Sequence, residues 1–509
     1  MDKLIEACWG ASAKWVNREK IMQSHASLSG ISELQLSVRG PVFTPADPGF
    51  AAEVAAFNLS TQHQPDLAFG ALDAEDVSAA IRWAAERGMP VAVQSTGHGA
   101  TNAIEGGLLI STRRMLELSI DPMERTARVG AGVRWKAVVE HAANFGLMGL
   151  CGSTTDVGVV GYTLGGGLPI LGRKYGFASD HVIAFELVTA DGTEHRVTKD
   201  ENPELFFLLR GGKGNLGIVT AMEFHLFPAS DLFAGGLYFD GEHAAAVLQQ
   251  FSEWVPSLPA EASASLAFLR LPDMDLIPEP LRGKFVVHLR YAYQGDAAVA
   301  TQLLEPMRQS APFMMDGTGP LDVTRFDSIH QDPDQPVPVR ERGFLLDRLD
   351  QQAREAILRH FGPGVESPVL MAELRLLGGA LAQSADGEDT VGARDAAFSF
   401  FMAGMAVPPV AQLLPVVFDA VRDDLREASS SGTFVNLHGH FVDVEDRERA
   451  WGPGIRERLR KAKAELDPKN MFSYGHVVGL PVIDQAVVMD QTVLLEDVVT
   501  AGGDAVLGN

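Results

Sequence analysis

The sequence predicts an α+β protein built from two domains. The chain has 509 residues, more than a single hydrophobic core accommodates, so two domains are expected. From Ser60 a strand, a helix, a glycine, a second strand and a glycine-rich loop follow one another, which is typical of α/β units. From about Leu232 strand-like runs alternate with amphipathic helices, which indicates an antiparallel sheet covered by helices on one face.

The N-terminal units are marked by their helix ends and turns. The segment PDLAFGA predicts a strand, AEDVSAAIRWAAERG predicts an amphipathic helix that ends at Gly88, and MPVAVQ predicts another strand. The segment HVIAFELVTADGTEHRV predicts a hairpin around an Asp191-Gly192 turn. A glycine loop and a long strand that ends at Pro228 follow. Residues 1 to about 35 are expected to form a helical or partly ordered lead-in.

The second half contains further predicted strands and two less regular parts. The strands are GGLYFD, SASLAFLRL, KFVVHLRYAY, LMAELRLLGG and AFSFFMAGMAV. The stretch Thr318–Arg342 carries four prolines and no apolar period, so we interpret it as a surface loop that borders the active site. Near the C-terminus, FVNLHGHFVDV predicts one more strand and RERAWGPGIRERLRKAKAEL predicts a helix.

Composition excludes several classes of protein. The net charge of −24 and the pI near 5.0 argue against nucleic acid or an anionic membrane as partner. The two cysteines, Cys8 and Cys151, form neither a disulfide framework nor a zinc cluster, and no metal site is expected. The first residues lack an apolar signal region, and no run approaches the roughly 18 apolar residues of a membrane span. We therefore expect a cytoplasmic protein, with a homodimer as an open alternative.

One loop, VAVQSTGHGATN at residues 91–102, is the first candidate for function. A buried strand opens there into small residues, with His98 between Gly97 and Gly99. Because glycine adopts φ values closed to other residues, successive backbone N–H groups can turn toward one point and bind a phosphate. A solvated turn with an unremarkable histidine is the competing interpretation. The favoured prediction is a diphosphate cradle.

Two other glycine-rich segments bear on the cofactor. The segment 149–176, GLCGSTTDVGVVGYTLGGGLPILGRKYG, is too rich in glycine for a helix or central strand and too apolar for a solvated loop. It therefore predicts a close approach of the backbone to a flat or bulky group. Residues 212–217 match GxGxxG, but this match follows a helix and opens a strand, which is the reverse of the dinucleotide-binding order.

Four motifs in series resemble the FAD-linked oxidases of the vanillyl-alcohol oxidase superfamily. They are PVAVQSTGHG, DVGVVGYTLGGGLPILGRKYG, LFFLLRGGKGNLGIVTAMEFHLFP and LDPKNMF. The chain is similar in particular to the berberine-bridge-enzyme-like and 6-hydroxynicotine-oxidase-like branch. The resemblance implies a discontinuous PCMH-type FAD-binding domain of two α/β subdomains, at residues 36–228 and 431–480. It implies a substrate domain at 229–430 and terminal extensions at 1–35 and 481–509.

The resemblance also implies site residues. His98 matches the histidine that commonly bonds the flavin 8α-methyl carbon, although Gln94 and Thr96 depart from the family pattern. Thr154 stands where some relatives place a second, cysteinyl link. Cys151 lies three residues too early and is interpreted as a buried small hydrophobe, so a single attachment is expected. The implied cofactor-binding residues are Gln94, Ser95, Thr96, Gly97, His98, Gly99, Ala100, Thr154, Thr155, Gly158, Gly161, Tyr162, Gly165, Gly166, Gly217, Ile218, Val219, Tyr474 and His476.

The predicted activity is oxidation of a small molecule by FAD. A hydride leaves a C–OH or C–N bond for flavin N5, a base takes the proton, and O₂ reoxidises the flavin to give H₂O₂. Glu373 and His438 are candidate catalytic residues, because strand alternation places Glu373 beside Arg375 and His438 beside Asn436 and His440. The resemblance implies Tyr162 as the third candidate, since relatives carry His or Tyr there close to the flavin; a packing aromatic is the alternative. A solvated charge pair and a structural histidine are the competing interpretations. The apolar strand AAFSFFMAGMAV favours an apolar natural product, with a sugar also considered. A dehydrogenase with another acceptor, or a flavin-binding protein without turnover, remains an alternative.

Overall fold

The computed structural model describes residues 30–275, 277–384, 389–441 and 444–478. Most of the predicted lead-in and the extension beyond 480 therefore lie outside the described residues. The first sheet has the order β1-β2-β4-β3, with a parallel core that matches the predicted α/β units. Its elements are α1 (Ile31–Ser37), β1 (Val42–Phe43), α2 (Phe50–Val54), β2 (Leu67–Gly70), α3 (Ala74–Glu86), β3 (Val91–Gln94) and β4 (Leu108–Ser111). Asp73 caps α3 by accepting from the N–H of Asp76.

The second sheet is antiparallel with the order β5-β6-β10-β8-β9. Its region contains β5 (Leu118–Asp121), β6 (Thr126–Gly130), α4 (Trp135–Ala143), β7 (Leu147–Met148), α5 (Val159–Thr163), α6 (Gly172–Tyr175), β8 (Val182–Val188), β9 (Glu194–Thr198), α7 (Pro203–Leu209), β10 (Ile218–His225) and β11 (Phe227–Pro228). The predicted Asp191-Gly192 hairpin joins β8 and β9. The first two sheets share one hydrophobic core, in which Trp83, Trp135 and Phe185 are buried.

The third sheet is wholly antiparallel, with the main order β15-β12-β14-β13-β18-β19-β17. Its region contains β12 (Leu232–Asp240), α8 (Ala244–Trp254), β13 (Ala262–Arg270), β14 (Phe285–Gln294), α9 (Ala297–Arg308), β15 (Phe313–Asp316), β16 (Gly319–Pro320), α10 (Asp327–His330), β17 (Val339–Leu346), α11 (Gln351–Phe361), β18 (Met371–Leu376), β19 (Phe398–Met405) and α12 (Leu413–Asp424). Helices α8, α9, α11 and α12 cover one face, as predicted.

The two faces of this third sheet differ in chemistry. The helix-covered face is apolar, with Leu289, Leu374 and Phe400 fully buried. Directly paired residues of neighbouring strands point to the same face, so pairing assigns the other side chains. Glu341 pairs with Ala403, Phe401 with Glu373, and Arg375 with Ser265, which in turn pairs with Arg290. The resulting polar face, defined by Glu341, Glu373, Arg375, Arg290 and His288, is turned away from the four helices.

The C-terminal part returns to the first two sheets. Helices α13 (Val444–Glu448) and α14 (Pro453–Leu466) precede a compact ending. The backbone N–H of Val91 in β3 donates to Met471 at 2.9 Å, and Trp451 packs with Leu208 of α7 in a separate cluster. This return explains why the last described residues reach the loop that follows β3. The domain boundaries at 228 and 430 stay predictions.

Two local predictions were wrong. Residues 434–441 do not form a strand: they contain a turn in which Leu437 N–H donates to Phe434, and Gly439 has φ +78°. The alternation of His438 and His440 on one strand face therefore fails. The predicted loop Thr318–Arg342 contains β16 and α10, and its last residues begin β17, which pairs along its length with β19. Among the described residues, no helix is long and apolar enough to span a membrane.

Candidate active site

The loop after β3 presents a run of backbone donors. Gly97 has φ +75°, and a Cβ there would lie 2.6 Å from Ala56 Cα, so only glycine fits. Gly99 does not need a positive φ, which corrects the sequence argument, but the space at its Cβ position is open. The N–H groups of residues 95–99 make no hydrogen bond within the described parts of the chain. The loop is therefore free to donate to an anion, as a phosphate cradle requires.

Gln94 holds this loop rather than facing a ligand. His63 Nδ1 accepts from the N–H of Ile104 at 3.1 Å, so the ring proton lies on Nε2, which donates to Gln94 Oε1 at 2.9 Å. The Gln94 amide then donates to the carbonyl of Ala55 at 3.1 Å. Gln94 is only 7% exposed, so it acts as a buried tie between the loop and residues 54–63.

His98 is a neutral imidazole in a constrained position. Its ring stacks on Phe57 with centroids 3.8 Å apart, and its Nδ1 lies 2.9 Å from Thr96 Oγ1. Its Nε2 has no hydrogen-bond partner among the described residues and lies 3.9 Å from Asp156 Oδ2. Burial lowers the pKa of His98 to about 4, against the opposing effect of Asp156. At neutral pH the ring therefore keeps an unprotonated nitrogen, which a nucleophile needs.

The motif at Gly158–Gly161 abuts the loop. A Cβ on Gly158 would lie 3.3 Å from Ser95 Oγ, which is buried without a partner, whereas the space at Gly161 is open. Thr155 is occupied differently: its N–H and hydroxyl donate to Asp327 of α10 at 2.6 and 2.5 Å. Thr154 Oγ1 accepts from the N–H of Asp156 at 3.2 Å. The two threonines thus hold the start of this motif in place through hydrogen bonds to Asp327 and Asp156.

Tyr162 is buried with an unpartnered hydroxyl among the described residues. Burial raises the pKa of its phenol well above the usual range, so the hydroxyl remains a donor. The side chains of Asn436 and Val391 fill the space that Cβ atoms on Gly165 and Gly166 would occupy. Close packing therefore explains these two glycines, and their predicted approach to a cofactor stays a prediction. Cys151 is a buried free thiol whose pKa is raised by burial, which fits its interpretation as a small hydrophobe.

Four further residues predicted to bind the cofactor lie at the start of β10 and near the C-terminus. Gly217 has φ +154° and opens β10, where Ile218 and Val219 are buried and paired with β8. The Tyr474 hydroxyl donates to the carbonyls of Glu105 and Gly106 at 2.7 and 3.1 Å. Ile218, Val219 and the Tyr474 hydroxyl thus have protein partners, and the predicted cofactor contacts of these residues and of Gly217 stay predictions.

His438 and His476 lie together near the C-terminus, with ring centroids 6.2 Å apart. His438 Nε2 lies 3.3 Å from Asp446 Oδ2, and Arg342 donates to both Asp446 oxygens at 2.7 and 2.6 Å. Burial lowers the pKa of His438, against hydrogen bonding to Asp446. His476 Nε2 is buried and has no partner among the described residues. His438 Nδ1 is likewise buried without a partner among the described residues, while His438 Nε2 contacts Arg342 and Asp446.

Glu373 lies in a buried cluster and not on a solvated face. It accepts from Arg290 at 2.8 Å, Arg375 at 2.9 Å and Ser265 at 2.7 Å. Burial alone raises the pKa of its carboxyl, but Arg375 and Arg290 outweigh burial and hold it well below the usual range. The predicted neighbourhood of Glu373 and Arg375 is present. So depressed a pKa makes Glu373 a poor proton acceptor.

Two residues that the sequence analysis missed complete the site. Glu341 lies partly buried on the polar face of the third sheet, and its carboxylate has neither a hydrogen bond nor an ion pair among the described residues. Burial and the nearby Asp332 raise its pKa to about 7. Lys213 has φ +58°, its Nζ donates to the Gly161 carbonyl at 3.1 Å, and burial lowers its pKa to about 8. The lone acid in Arg-Glu-Arg and the lysine within a glycine loop were the available signals.

Phe57 connects the His98 loop to the strand of Glu341. Its N–H donates to Thr96 at 3.0 Å, and its carbonyl accepts from Val337 at 3.1 Å. The N–H of Leu59 then donates to Val337 at 3.0 Å, and β17 begins two residues later. Asp332 influences the pKa values of both His98 and Glu341. The polar face and the donor loop therefore border the same region.

Comparison with known proteins agrees with this arrangement. A family model described as FAD binding domain matches residues 65–198. The (R)-6-hydroxynicotine oxidase of Paenarthrobacter nicotinovorans is 36% identical over 227 residues, which are 44% of this chain and 46% of that relative. The match therefore spans about half the length of this relative.

Solved structures show the same fold across most of the chain. The 6-hydroxy-D-nicotine oxidase from Arthrobacter nicotinovorans superposes with a TM-score of 0.75 at 24% identity, covering 86% of this chain and 97% of that one. The BBE-like 1 protein of Physcomitrella patens has a TM-score of 0.76 at 20% identity, covering 87% and 97%.

The fold and the donor loop define a PCMH-type FAD-binding protein, with a discontinuous cofactor domain and a second domain of antiparallel sheet covered by helices. Residues 65–198 thus match an FAD binding domain, and the fold of the chain is similar to that of the 6-hydroxy-D-nicotine oxidase and of the BBE-like 1 protein.

The residues present fit FAD. The free N–H groups of residues 95–99 suit a diphosphate, and the open positions at Gly99 and Gly161 leave room for the cofactor beside them. The buried, unpartnered Ser95 Oγ and Tyr162 hydroxyl supply further polar atoms. A buried polar group without a hydrogen bond destabilises a folded protein, so these atoms indicate that a ligand binds here.

Proposed function

We propose that this protein is an FAD-dependent oxidase that oxidises a C–OH or C–N bond of a small molecule. Bound FAD would take the hydride and pass the electrons to O₂, which gives H₂O₂. The observation that carries the proposal is the unpaired carboxylate of Glu341, on a polar sheet face that borders the donor loop. The name of the similar nicotine oxidase supports an amine or alcohol as the oxidised group.

The side chains divide the work as follows. The hydride departs with both electrons of the substrate C–H bond, and Glu341 accepts the proton of the adjacent O–H or N–H, so a C=O or C=N bond forms. A carboxyl with a pKa of about 7 is half ionised at neutral pH and suits this transfer. Glu341 is therefore favoured over Glu373, which is paired with two arginines, and over His438, whose Nε2 contacts Arg342 and Asp446. Tyr162 remains a proposed hydrogen-bond donor to substrate or cofactor.

The first test of the function is oxygen consumption with a panel of small alcohols and amines, recorded together with the bleaching of the flavin absorbance. An oxidase bleaches the flavin and consumes O₂. Bleaching that is reversed only by an artificial acceptor would identify a dehydrogenase. A flavin that no member of the panel reduces would remove the proposal of turnover.

Covalent attachment of FAD through His98 is a separate prediction. We expect the flavin of the wild-type protein to stay in the pellet after acid precipitation, because His98 offers an unprotonated ring nitrogen beside the cradle. The His98→Ala protein should release its flavin into the supernatant. His141→Ala, which changes an exposed histidine of α4, is the control and should retain it. Release from the wild-type protein would refute the bond and leave the match to the FAD binding domain unaffected.

Lys213 is expected to raise the flavin reduction potential. Its pKa of about 8 keeps most molecules charged at neutral pH, and its Nζ contacts the carbonyl of Gly161, where the space beside the chain is open. A cation there stabilises the anionic reduced ring. Lys213→Met should lower the midpoint potential by roughly 30 mV, which corresponds to about 1.4 kcal/mol for two electrons. Dye-equilibration potentiometry tests this, with the exposed Lys136→Met as control. Equal potentials would exclude the role.

A further inference from the structure

A small pocket lies between the glycine-dense segment and the third sheet. Its walls come from residues 168–170 and 173 on one side, and from β13, β14, α10 and β18 on the other. The pocket has a volume of about 20 Å³, counted as the space that the centre of a water molecule can reach. This volume suits one small polar group and not a whole ligand. The polar lining residues are Arg173, Ser263, Ser265, Arg290, His330 and Arg375.

The arginines of this pocket outnumber their carboxylates. Arg290 and Arg375 share the single carboxylate of Glu373. Arg173 is 8% exposed and donates only to backbone carbonyls, those of Ala262 at 2.7 Å, Leu258 at 3.1 Å, Leu377 and Pro259. Among the residues that the structure describes, three guanidinium groups therefore face one carboxylate. Such an excess of buried positive charge is costly unless an anion is bound.

Arg375 has N–H groups that make no hydrogen bond to the described residues. Its Nη2 contacts Glu373 at 2.9 Å and His330 Nε2 at 3.4 Å, whereas its Nε and Nη1 make no hydrogen bond to any residue that the structure describes. Its side chain is 15% exposed, so these atoms are open to the pocket. A guanidinium with two free N–H edges matches a carboxylate in bidentate geometry.

The neighbouring groups do not cancel this charge. The described lining contains no Asp or Glu. Asp327, on the same helix as His330, is held by the N–H and hydroxyl of Thr155 at 2.6 and 2.5 Å. His330 Nδ1 is buried and makes no hydrogen bond to any described residue. The pocket thus combines a surplus of positive charge with unused polar atoms.

We propose that this pocket binds a carboxylate group of the substrate, with Arg375 as its main ligand. The proposal rests on the proposed oxidase function and specifies its substrate class. On the same sheet face, Phe401 and Ala403 supply an apolar surface between Arg375 and Glu341. The substrate is then a carboxylic acid with an apolar body and an oxidisable alcohol or amine.

Binding of benzoate to the holoenzyme, measured by calorimetry without turnover, tests the pocket. Wild-type protein should bind benzoate and not benzamide, which has the same shape without the charge. Arg375→Met should weaken benzoate binding by about 10- to 100-fold, the range of a charge-assisted hydrogen bond. Arg375→Lys keeps the positive charge but loses the planar guanidinium, so it should recover part of the benzoate affinity. Arg348→Met, at an exposed ion pair with Asp350, should bind normally.

Three results would overturn the proposal: equal affinity for benzamide, normal benzoate binding by Arg375→Met, or displacement of benzoate by chloride at equal concentration, which would indicate a site for free anions. The comparison of benzoate with benzamide uses only wild-type protein, so misfolding of a variant leaves it decisive. Flavin reduction by neutral substrates without benzoate binding would refute the carboxylate pocket alone. Benzoate binding to a protein that turns nothing over would refute the oxidase function alone.

Discussion

Replacing Glu341 with glutamine is expected to slow flavin reduction by about 10²- to 10⁴-fold, the usual contribution of a positioned general base. Glutamine keeps the shape of the side chain and removes its ability to accept a proton. The partly buried carboxylate has no ion pair among the described residues, so its loss leaves no charge unpaired there. Stopped-flow reduction under anaerobic conditions, with any substrate from the panel, measures the effect directly.

The pH dependence gives this prediction a second signature. Burial and Asp332 raise the pKa of Glu341 to about 7, and the base works only when ionised. The wild-type reduction rate should therefore increase with pH through about 7 and then level off. Asp332→Asn removes one of the two causes, so its profile should shift to lower pH. Arg340 and Arg342 flank Glu341 in sequence but point to the other face of β17.

The control for this experiment is Glu373→Gln, which changes the other acid of the same sheet face. Glu373 is paired with two arginines, so its replacement should alter stability and substrate binding and leave the inflection near pH 7 in place. An unchanged reduction rate in Glu341→Gln, or an inflection that survives in it, would exclude Glu341 as proton acceptor. Loss of the inflection in Glu373→Gln would transfer the role to that residue.

Local pattern was enough to predict much of the framework. Periodicity and helix ends predicted β3, α3 and the β8–β9 hairpin, because each is specified by adjacent residues. Alternation also predicted that Glu373 lies beside Arg375, and the structure places Arg375 Nη2 2.9 Å from Glu373 Oε2. Sequence spacing held no information about Arg290, which meets Glu373 from 83 positions away. The solvated-face interpretation of this pair was wrong because the counter-ion comes from another strand.

The missed elements share a physical cause. Residues 434–441 alternate polar and apolar side chains as a strand does, yet only Gly439 forms a bridge, with Arg342, so the pattern lacks a partner strand. Conversely, β17 follows a run of prolines and carries charged residues on both faces. Its arginines face the C-terminal cluster, and its glutamate faces the site. A strand whose two faces are both polar shows no alternation in hydrophobicity.

Breaking the ion pair between Arg342 and Asp446 is expected to destabilise the protein strongly. Both side chains are less than 10% exposed, and two hydrogen bonds of 2.7 and 2.6 Å join them. Arg342→Met would remove both of its hydrogen bonds to the buried Asp446 carboxylate, and removal of one partner of such a pair typically costs about 3–5 kcal/mol. The matched variant Arg348→Met breaks an exposed pair and should cost less than about 1 kcal/mol.

The sign of the pH effect separates this mechanism from simple loss of packing. Burial raises the pKa of Asp446, but His438 and Arg342 outweigh it and depress that pKa below the ordinary value of about 4. In the wild-type protein this contribution is present above about pH 4 and is lost only as the pH falls through the depressed value. In Arg342→Met the carboxyl loses both hydrogen bonds from Arg342, so the deficit should be greatest at neutral pH and shrink toward pH 4 as the carboxyl becomes protonated. Urea unfolding of the holoenzyme at several pH values measures this. A deficit that stays constant between pH 7 and pH 4 would show that Arg342 contributes through packing and not through charge.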